Sequence, residues 1–452
     1  MMRKLLNFSR RQLHTIVSRD IIKPSSPTPS HLKTYNLSLF DQLAVNAYIP
    51  VVAFYPSSSI YKSSHDKTLD LKNSLSRTLN QYYPFAGKLA KSRPTTVDCS
   101  DDGVEFIEAR NDCPLSDFLR HSEHEDFDKL FPHDLIWLKP SSKGHSHESG
   151  STTPLFVQVN HFSCGGVAVA ASLSHKIADA SSCLNFYNHW ATVTRSQHHE
   201  HDHDLSHINP VFIPYKTRNV NLPKNMPNRS QGDYLTRSVV FPNSKINELK
   251  AKVVSMTMEA GEPIMNPTRA ECLTWLIHKC AVAAASKRNS GVFKPTGVCH
   301  AMNMRSNLVE SLPETTVGNL YLVTEYPTVN ESELTPSYII GELRKRKKEC
   351  RSITNAETAL GMVADACSDH DAMFETAKRL DDYYIYSAIT MFPTYGIDFG
   401  WGKPVKVTCG GVLKNFIIMM DTPSGDGIDV VMCLDRQDMK IIQNDPELLA
   451  FC

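Results

Sequence analysis

A chain of 452 residues with 48 basic and 48 acidic side chains has a formal net charge of zero, so no long-range field draws it to nucleic acid or to an anionic membrane, and its partners must be recognised locally. The length suffices for two or three domains with a sizeable core, and no apolar run approaches the ~18 residues of a membrane span. The 12 cysteines are scattered singly from Cys99 onward with no C-x-x-C pair, which reads as reduced thiols in a cytosol-like compartment rather than a disulfide framework.

Residues 1–20 carry five basic residues and no acid before Asp20. They read as an N-terminal extension with transit-peptide character, which leaves organellar import open beside a cytoplasmic location. Residues 21–33 hold three prolines and are expected to form an extended arm, because each proline fixes its own φ and lacks an amide donor. The spacing of Leu71, Leu75 and Leu79 predicts an amphipathic helix that stops at Pro84 and Gly87. Alternation from Thr95 to Ala109 around Asp101, Asp102 and Gly103 predicts a hairpin. A second hairpin is expected from 155–162 and 167–174 across Ser163 to Gly166, followed directly by His175 and a helix through Leu184, Tyr187 and Ala191.

The polar, His-rich run 197–210 and the segment 215–233 are poor in apolar pattern and longer than the ~15 residues usual for a loop inside a compact domain. The crossover between domains is placed there. The organisation reads as an extension at 1–20, an N-terminal domain at 21–196, a crossover at 197–233 and a C-terminal domain at 234–452. In the second domain a strand near 236–242 leads to a helix at 243–256. Thr268 and Glu271 form a capping box for a buried helix, because the Thr hydroxyl accepts the N3 amide while the Glu reaches back to the cap. Strands are expected at 296–304 and 318–327, a charged helix at 338–353, and a closing hairpin across Pro423 to Gly427.

Chemistry concentrates in two runs. In the first, SHKIADA, His175 and Asp179 stand four residues apart where a charge-free strand feeds a helix. A random H-x-x-x-D is most often a buried histidine with an aspartate at a helix start. A metal pair would need a third ligand, as in H-E-x-x-H, and a general base would use an imidazole that titrates near neutrality. Spacing alone does not choose. In the second run, DFGWGKP, Gly400 and Gly402 bracket Trp401, and by itself this reads as a tight turn around a packed ring in which Asp398 satisfies turn amides. Five histidines between 198 and 207 lie in an aperiodic loop with no defined ligand geometry. The phosphate-binding glycine loop and the G-x-S-x-G elbow of serine hydrolases do not occur in the sequence.

The two runs together, about 220 residues apart by the numbering, resemble the BAHD acyltransferase family of plants. Smaller marks agree: YPFAGKL from Tyr83, Cys164-Gly165-Gly166, Asn303-Met304-Arg305, Gly318-Asn319-Leu320 and Gly425-Asp426-Gly427. The opening IKPSSPTPSHLKTYNLSLFDQL is similar to the branch that holds alkaloid acetyltransferases and acylsugar acyltransferases. The resemblance implies an α/β, two-domain, chloramphenicol-acetyltransferase-like fold of mixed β-sheets flanked by helices, with an active-site channel between the domains. It implies transfer of an acetyl or short aliphatic acyl group from acyl-CoA, as co-substrate, to a small-molecule alcohol. It implies no resident cofactor, metal, nucleic acid or membrane partner, and a monomer. His175 and Asp398 head the two motifs and are the catalytic candidates, with His175 the base. Asp179 paired with Arg305 supports the site, as do Gly400, Trp401 and Gly402, which shape the loop and the CoA channel. One departure stands out: where the family reads Ser-Ser-Trp-Cys-Arg, this chain has Ser387 to Met391 with Ile389 in place of the Trp, which implies a smaller aliphatic wall in the substrate pocket. Two rival readings are a catalytically silent relative that binds small molecules or a protein, and a metal-dependent hydrolase.

Overall fold

The computed structural model describes residues 14–57, 63–90, 95–132, 151–197, 209–213, 233–308, 312–313, 315–368, 383–411 and 413–452. In chain order its long strands, with the short one that matters here, are β1 (His14–Ile22), β2 (Tyr48–Tyr55), β3 (Val104–Asn111), β4 (Leu155–Phe162), β5 (Val167–Ser174), β6 (Tyr234–Pro242), β7 (Thr296–Asn303), β8 (Tyr321–Thr328), β9 (Tyr383–Ala388), β10 (Lys406–Cys409), β11 (Phe416–Asp421) and β12 (Gly427–Asp435). They build two six-stranded mixed sheets, ordered β1-β3-β4-β5-β2-β10 and β6-β12-β11-β9-β7-β8. This is the expected α/β architecture of two sheet-centred bodies.

In the first sheet β5 is internal, between β4 and β2. Every one of its residues is buried, which explains the charge-free run Val167 to Ser174: both faces are covered, so neither carries a polar alternation. With the short helix α1 (Leu39–Leu43) placed before them, α2 (Ser64–Thr78) and α3 (Ala180–Ser196) pack on one face, with Leu71, Leu75, Leu79, Tyr187 and Trp190 in a single core. The second body packs α4 (Asn243–Glu259), α5 (Arg269–Arg288) and α6 (Pro336–Arg351) on its sheet. Both halves of the Thr268–Glu271 capping box are formed.

Three expectations are corrected. The segment read as an extension contributes a strand from His14 onward: β1 pairs antiparallel with β3 along the edge of the sheet, and Arg19 reaches Glu105 at 2.6 Å. Arg19 thus lies on the exposed face of an edge strand. Residues 96–111 are not a hairpin, because Thr96–Asp98 pairs with Thr34–Asn36 and Lys88–Ala90 in a small sheet of its own while β3 joins the large one. The turn between them, with Asp101 and Gly103 at positive φ, is pinned from outside: Asp101 accepts from Thr28 N at 3.0 Å and Lys33 Nζ at 2.7 Å. The division at 234 also fails for one stretch, because β10 joins the first sheet beside β2 and the loop before it packs in the first core. Of the crossover, residues 198–208 and 214–232 lie outside the described residues, and Val211–Phe212 pairs in parallel with Thr316–Val317.

Candidate active site

His175 is the first residue beyond β5, and its amide donates to Ala47 O at 2.8 Å, so the chain turns at a fixed point just past a buried strand. The residue is partly exposed. Its Nδ1 lies 2.9 Å from Oδ1 of Asn319, a residue of the second half of the chain, and the Asn319 Nδ2 donates back to the His175 carbonyl at 2.7 Å. Nε2 meets no protein hydrogen-bonding group among the described residues. Tyr321, at the start of β8, sets its ring 5.7 Å from the imidazole. Burial pushes the imidazole below its ordinary 6.5, against the opposing pull of Asp179 and Asn319, so the ring is neutral at neutral pH. A neutral imidazole with one nitrogen anchored and the other open has what proton abstraction requires.

Asp179 is the N-cap of α3 and accepts from Ser182 N at 2.9 Å. Its carboxylate also takes a bidentate pair from Arg305, at 2.8 and 3.0 Å, and the amide of Leu320 at 3.0 Å. Burial raises this carboxyl, and the Arg305 charge and the hydrogen bonds outweigh it, holding the group below 3.8. Arg305 spends its remaining donors on the carbonyls of Thr316 and Gly318 and on Ser182 Oγ. With all four lone-pair directions taken by fixed donors, Asp179 has no capacity to relay a proton to His175. It ties the first turn of α3 to the 316–320 segment of the other half, and thereby sets where Asn319 meets the imidazole.

Asp398 is in a different place from His175. Its Oδ1 accepts the amides of Gly400 and Gly402 at 2.8 and 3.0 Å, while its carbonyl accepts from Arg195. Both glycines have positive φ, 95° and 94°, the left-handed backbone that a side chain resists. The turn plants Phe399 against Trp190, ring centroids 5.0 Å apart, and Trp401 edge-on to Tyr55 at 5.4 Å, with Lys67 over the indole at 5.2 Å. The placement sets Asp398 apart from His175, with which the motifs group it as catalytic: its Oδ1 holds its own loop, and Phe399 and Trp401 anchor that loop in the first core.

Ile389 continues β9, its amide bonded to Met419 O at 2.9 Å. It packs against the cluster of Cys409, Ile418, Met420 and Val431, on the sheet face turned to the first body. Asn303 pairs with Tyr321, and β7 and β9 run in parallel from Gly297 opposite Tyr383 to His300 opposite Tyr386. Among the described residues no group of three or more His, Cys, Asp or Glu side chains is placed to hold a metal ion, and the His-rich run at 198–207 lies outside them. No helix among them is long and apolar enough to cross a membrane.

The sequence pattern of the Transferase family matches residues 14–449 of the chain. Akuammiline synthase 1 of Alstonia scholaris is 36% identical over 447 residues, 96% of this chain and 97% of that protein. Acylsugar acyltransferase 3 of Solanum lycopersicum is 36% identical over 440 residues, 97% of each. The crystal structure of vinorine synthase superposes with a TM-score of 0.75 at 27% identity, over 97% of this chain and 98% of that one. The family match and the relatives identify an acyltransferase, built here of two sheet-centred bodies. The chain belongs to the Transferase family, the BAHD acyltransferases of plants, and is an acyl-CoA-dependent enzyme of that family.

Proposed function

We propose that the protein transfers an acetyl or other short aliphatic acyl group from its CoA thioester to a hydroxyl of a plant specialised metabolite, an alkaloid, a terpenoid or an acylated sugar. The observation that carries this reading is the open Nε2 of a neutral, anchored His175. With both substrates bound, Nε2 takes the hydroxyl proton as the oxygen attacks the thioester carbonyl carbon. The C–O bond forms and a tetrahedral intermediate results. Its collapse breaks the C–S bond, and the departing CoA thiolate takes the proton back from the imidazolium, so ester and free CoA leave with no acyl-enzyme and no net proton change. Acyl-CoA acts as co-substrate, and the reaction calls for no resident cofactor or metal. Asp179 and Arg305 hold the frame, and Ile389 gives the substrate pocket an aliphatic wall where the family has an indole. The protein works as a cytoplasmic monomer.

The acylsugar acyltransferase among its relatives supports the sugar arm of this reading, and the similarity of the opening segment to alkaloid acetyltransferases supports the other. Purified protein should consume acetyl-CoA or a branched short-chain acyl-CoA in the presence of a panel of such acceptors. His175→Ala should lose about 10²- to 10⁴-fold of that turnover, the usual worth of a positioned base. A variant that keeps the wild-type rate would sink the mechanism.

A further inference from the structure

Asn319 can serve His175 in either of two ways, depending on which end of its amide faces Nδ1. If Oδ1 faces the ring, Nδ1 must donate and carry the proton, which leaves Nε2 with a bare lone pair. If Nδ2 faces the ring, Nδ1 must accept, the proton moves to Nε2, and the imidazole no longer offers a base to a substrate. The His175 carbonyl, 2.7 Å from Nδ2, favours the first arrangement, and a second group fixes it.

That group is Asp41, in α1, a fully buried carboxylate. Its Oδ1 accepts both the backbone amide and Nδ2 of Asn319, each at 2.8 Å. Its Oδ2 accepts the amide and hydroxyl of Ser38, at 3.1 and 2.7 Å. An ionised carboxylate has acceptors only, so the Asn319 amide cannot turn its oxygen toward Asp41 without setting lone pair against lone pair. We propose that Asp41 is a positioning residue: through Asn319 it locks His175 as the Nδ1–H tautomer, with Nε2 open toward substrate. The carboxylate never touches the imidazole. Asp41 and Asn319 are 278 positions apart in sequence, and the one amide side chain of Asn319 joins the carboxylate to the imidazole.

Asp41→Asn keeps the shape but replaces one acceptor end by a donor. If the new amide group faces Asn319, donor meets donor, the Asn319 amide turns over and His175 changes tautomer. If it faces Ser38, the Ser38 amide loses its acceptor and the capping box of α1 keeps only the Ser38 hydroxyl half. The inference rests on the reading of His175 as the base, and its first measurement needs no substrate. In ¹⁵N-histidine-labelled full-length protein, with His175 assigned by its disappearance in His175→Gln, two-bond nitrogen–proton correlations should show Nδ1 protonated and Nε2 bare; an Nε2–H ring would overturn the inference. A bare Nε2 in a protein that transfers no acyl group would instead sink the acyl-transfer reading and leave this one standing.

With activity in hand, Asn319→Ala should lower kcat by about 10- to 100-fold, the worth of a hydrogen bond to a charged group, with KM for acyl-CoA little changed and the Nδ1–H signature lost; in Asp41→Asn kcat should fall as far only together with that signature, and a fall with the signature intact would overturn the inference. Ser38→Ala, which removes the helix cap and the hydroxyl bond to Oδ2 but leaves the Oδ1 bonds intact, should lower stability while kcat stays within a few-fold. Equal loss of kcat in Ser38→Ala and Asp41→Asn would overturn the inference, since Asp41 would then merely hold α1 together. Should Asp41→Asn fail to fold, the tautomer of the wild-type ring decides alone.

Discussion

Replacing Asp179 by asparagine separates architecture from chemistry. The carboxylate and its partner Arg305 are both buried, at 6% exposure each. The substituted side chain would keep one acceptor end but present an NH₂ to the guanidinium or to the Leu320 amide, and the arginine would be left as a buried cation without a counter-ion. Breaking a buried pair on one side costs about 3–5 kcal/mol, against about 5–15 kcal/mol for the whole stability of a typical domain. Denaturant titration followed by tryptophan fluorescence should therefore show a midpoint far below wild type. Acyl transfer should fall with it, because the segment that carries Asn319 loses its tie to α3. The double variant Asp179→Asn, Arg305→Met removes the uncompensated charge and should regain part of both stability and activity, though the carbonyls of Thr316 and Gly318 lose their donors. A single variant as stable as wild type yet inactive would refute the reasoning, since the carboxylate would then be acting on the reaction itself.

Acid should weaken the second body through two histidines. His278 and His300 are buried between α5 and the sheet, and burial pushes both down to about 3 from an ordinary 6.5. The folded value lies below the unfolded one, so the unfolded chain binds more protons below 6.5, and stability falls as the pH drops from there toward 3. At pH 5 the gap of about 1.5 pH units corresponds to about 2 kcal/mol for each histidine. His300→Gln should flatten the pH dependence of the denaturation midpoint between pH 7 and 5, and a wild-type midpoint that does not move over that range would refute the assignment. Ile389→Trp should narrow the acceptor or acyl range while leaving His175 in place; a panel of acceptors and acyl-CoAs that ranks identically for both proteins would remove Ile389 from the pocket wall.

Local pattern carried far in this chain where partners are near in sequence. The 155–174 hairpin, the helix at Leu71 to Leu79, the Thr268 capping box and the closing hairpin all depend on contacts within a few tens of residues, and all are formed. Strand β2 escaped because it is internal and largely buried, with no polar alternation to mark it. Strand β1 escaped because an edge strand with an exposed basic face has the composition of a targeting peptide. The turn at Asp101 has hairpin chemistry, but Thr28, Lys33 and the small sheet decide where its two arms go. In the site, His175 and Asp179 drew notice through their motif, whereas the pairing of Arg305 with Asp179 came only from the family resemblance. Asp41 lay within the opening segment that carried the resemblance but gave no sign of a link to the histidine. A carboxylate in NLSLFDQL looks like an ordinary helix cap, and its acceptance from Asn319 is a long-range fact that no window of sequence contains.

The return of residues 397–409 to the first sheet has a consequence for how the protein is made. The hole that Phe399 and Trp401 fill, between Tyr55 and Trp190, and the ladder edge that β10 covers both belong to a body whose other five strands end at Ser174. During vectorial synthesis that body waits, with an aromatic socket and a row of unpaired backbone groups open, until β6, β7, β8 and β9 have all emerged from the ribosome. The two halves therefore cannot mature one after the other, and separately expressed halves cut at the crossover should give an N-terminal piece that associates through its unfinished edge until the C-terminal piece is supplied.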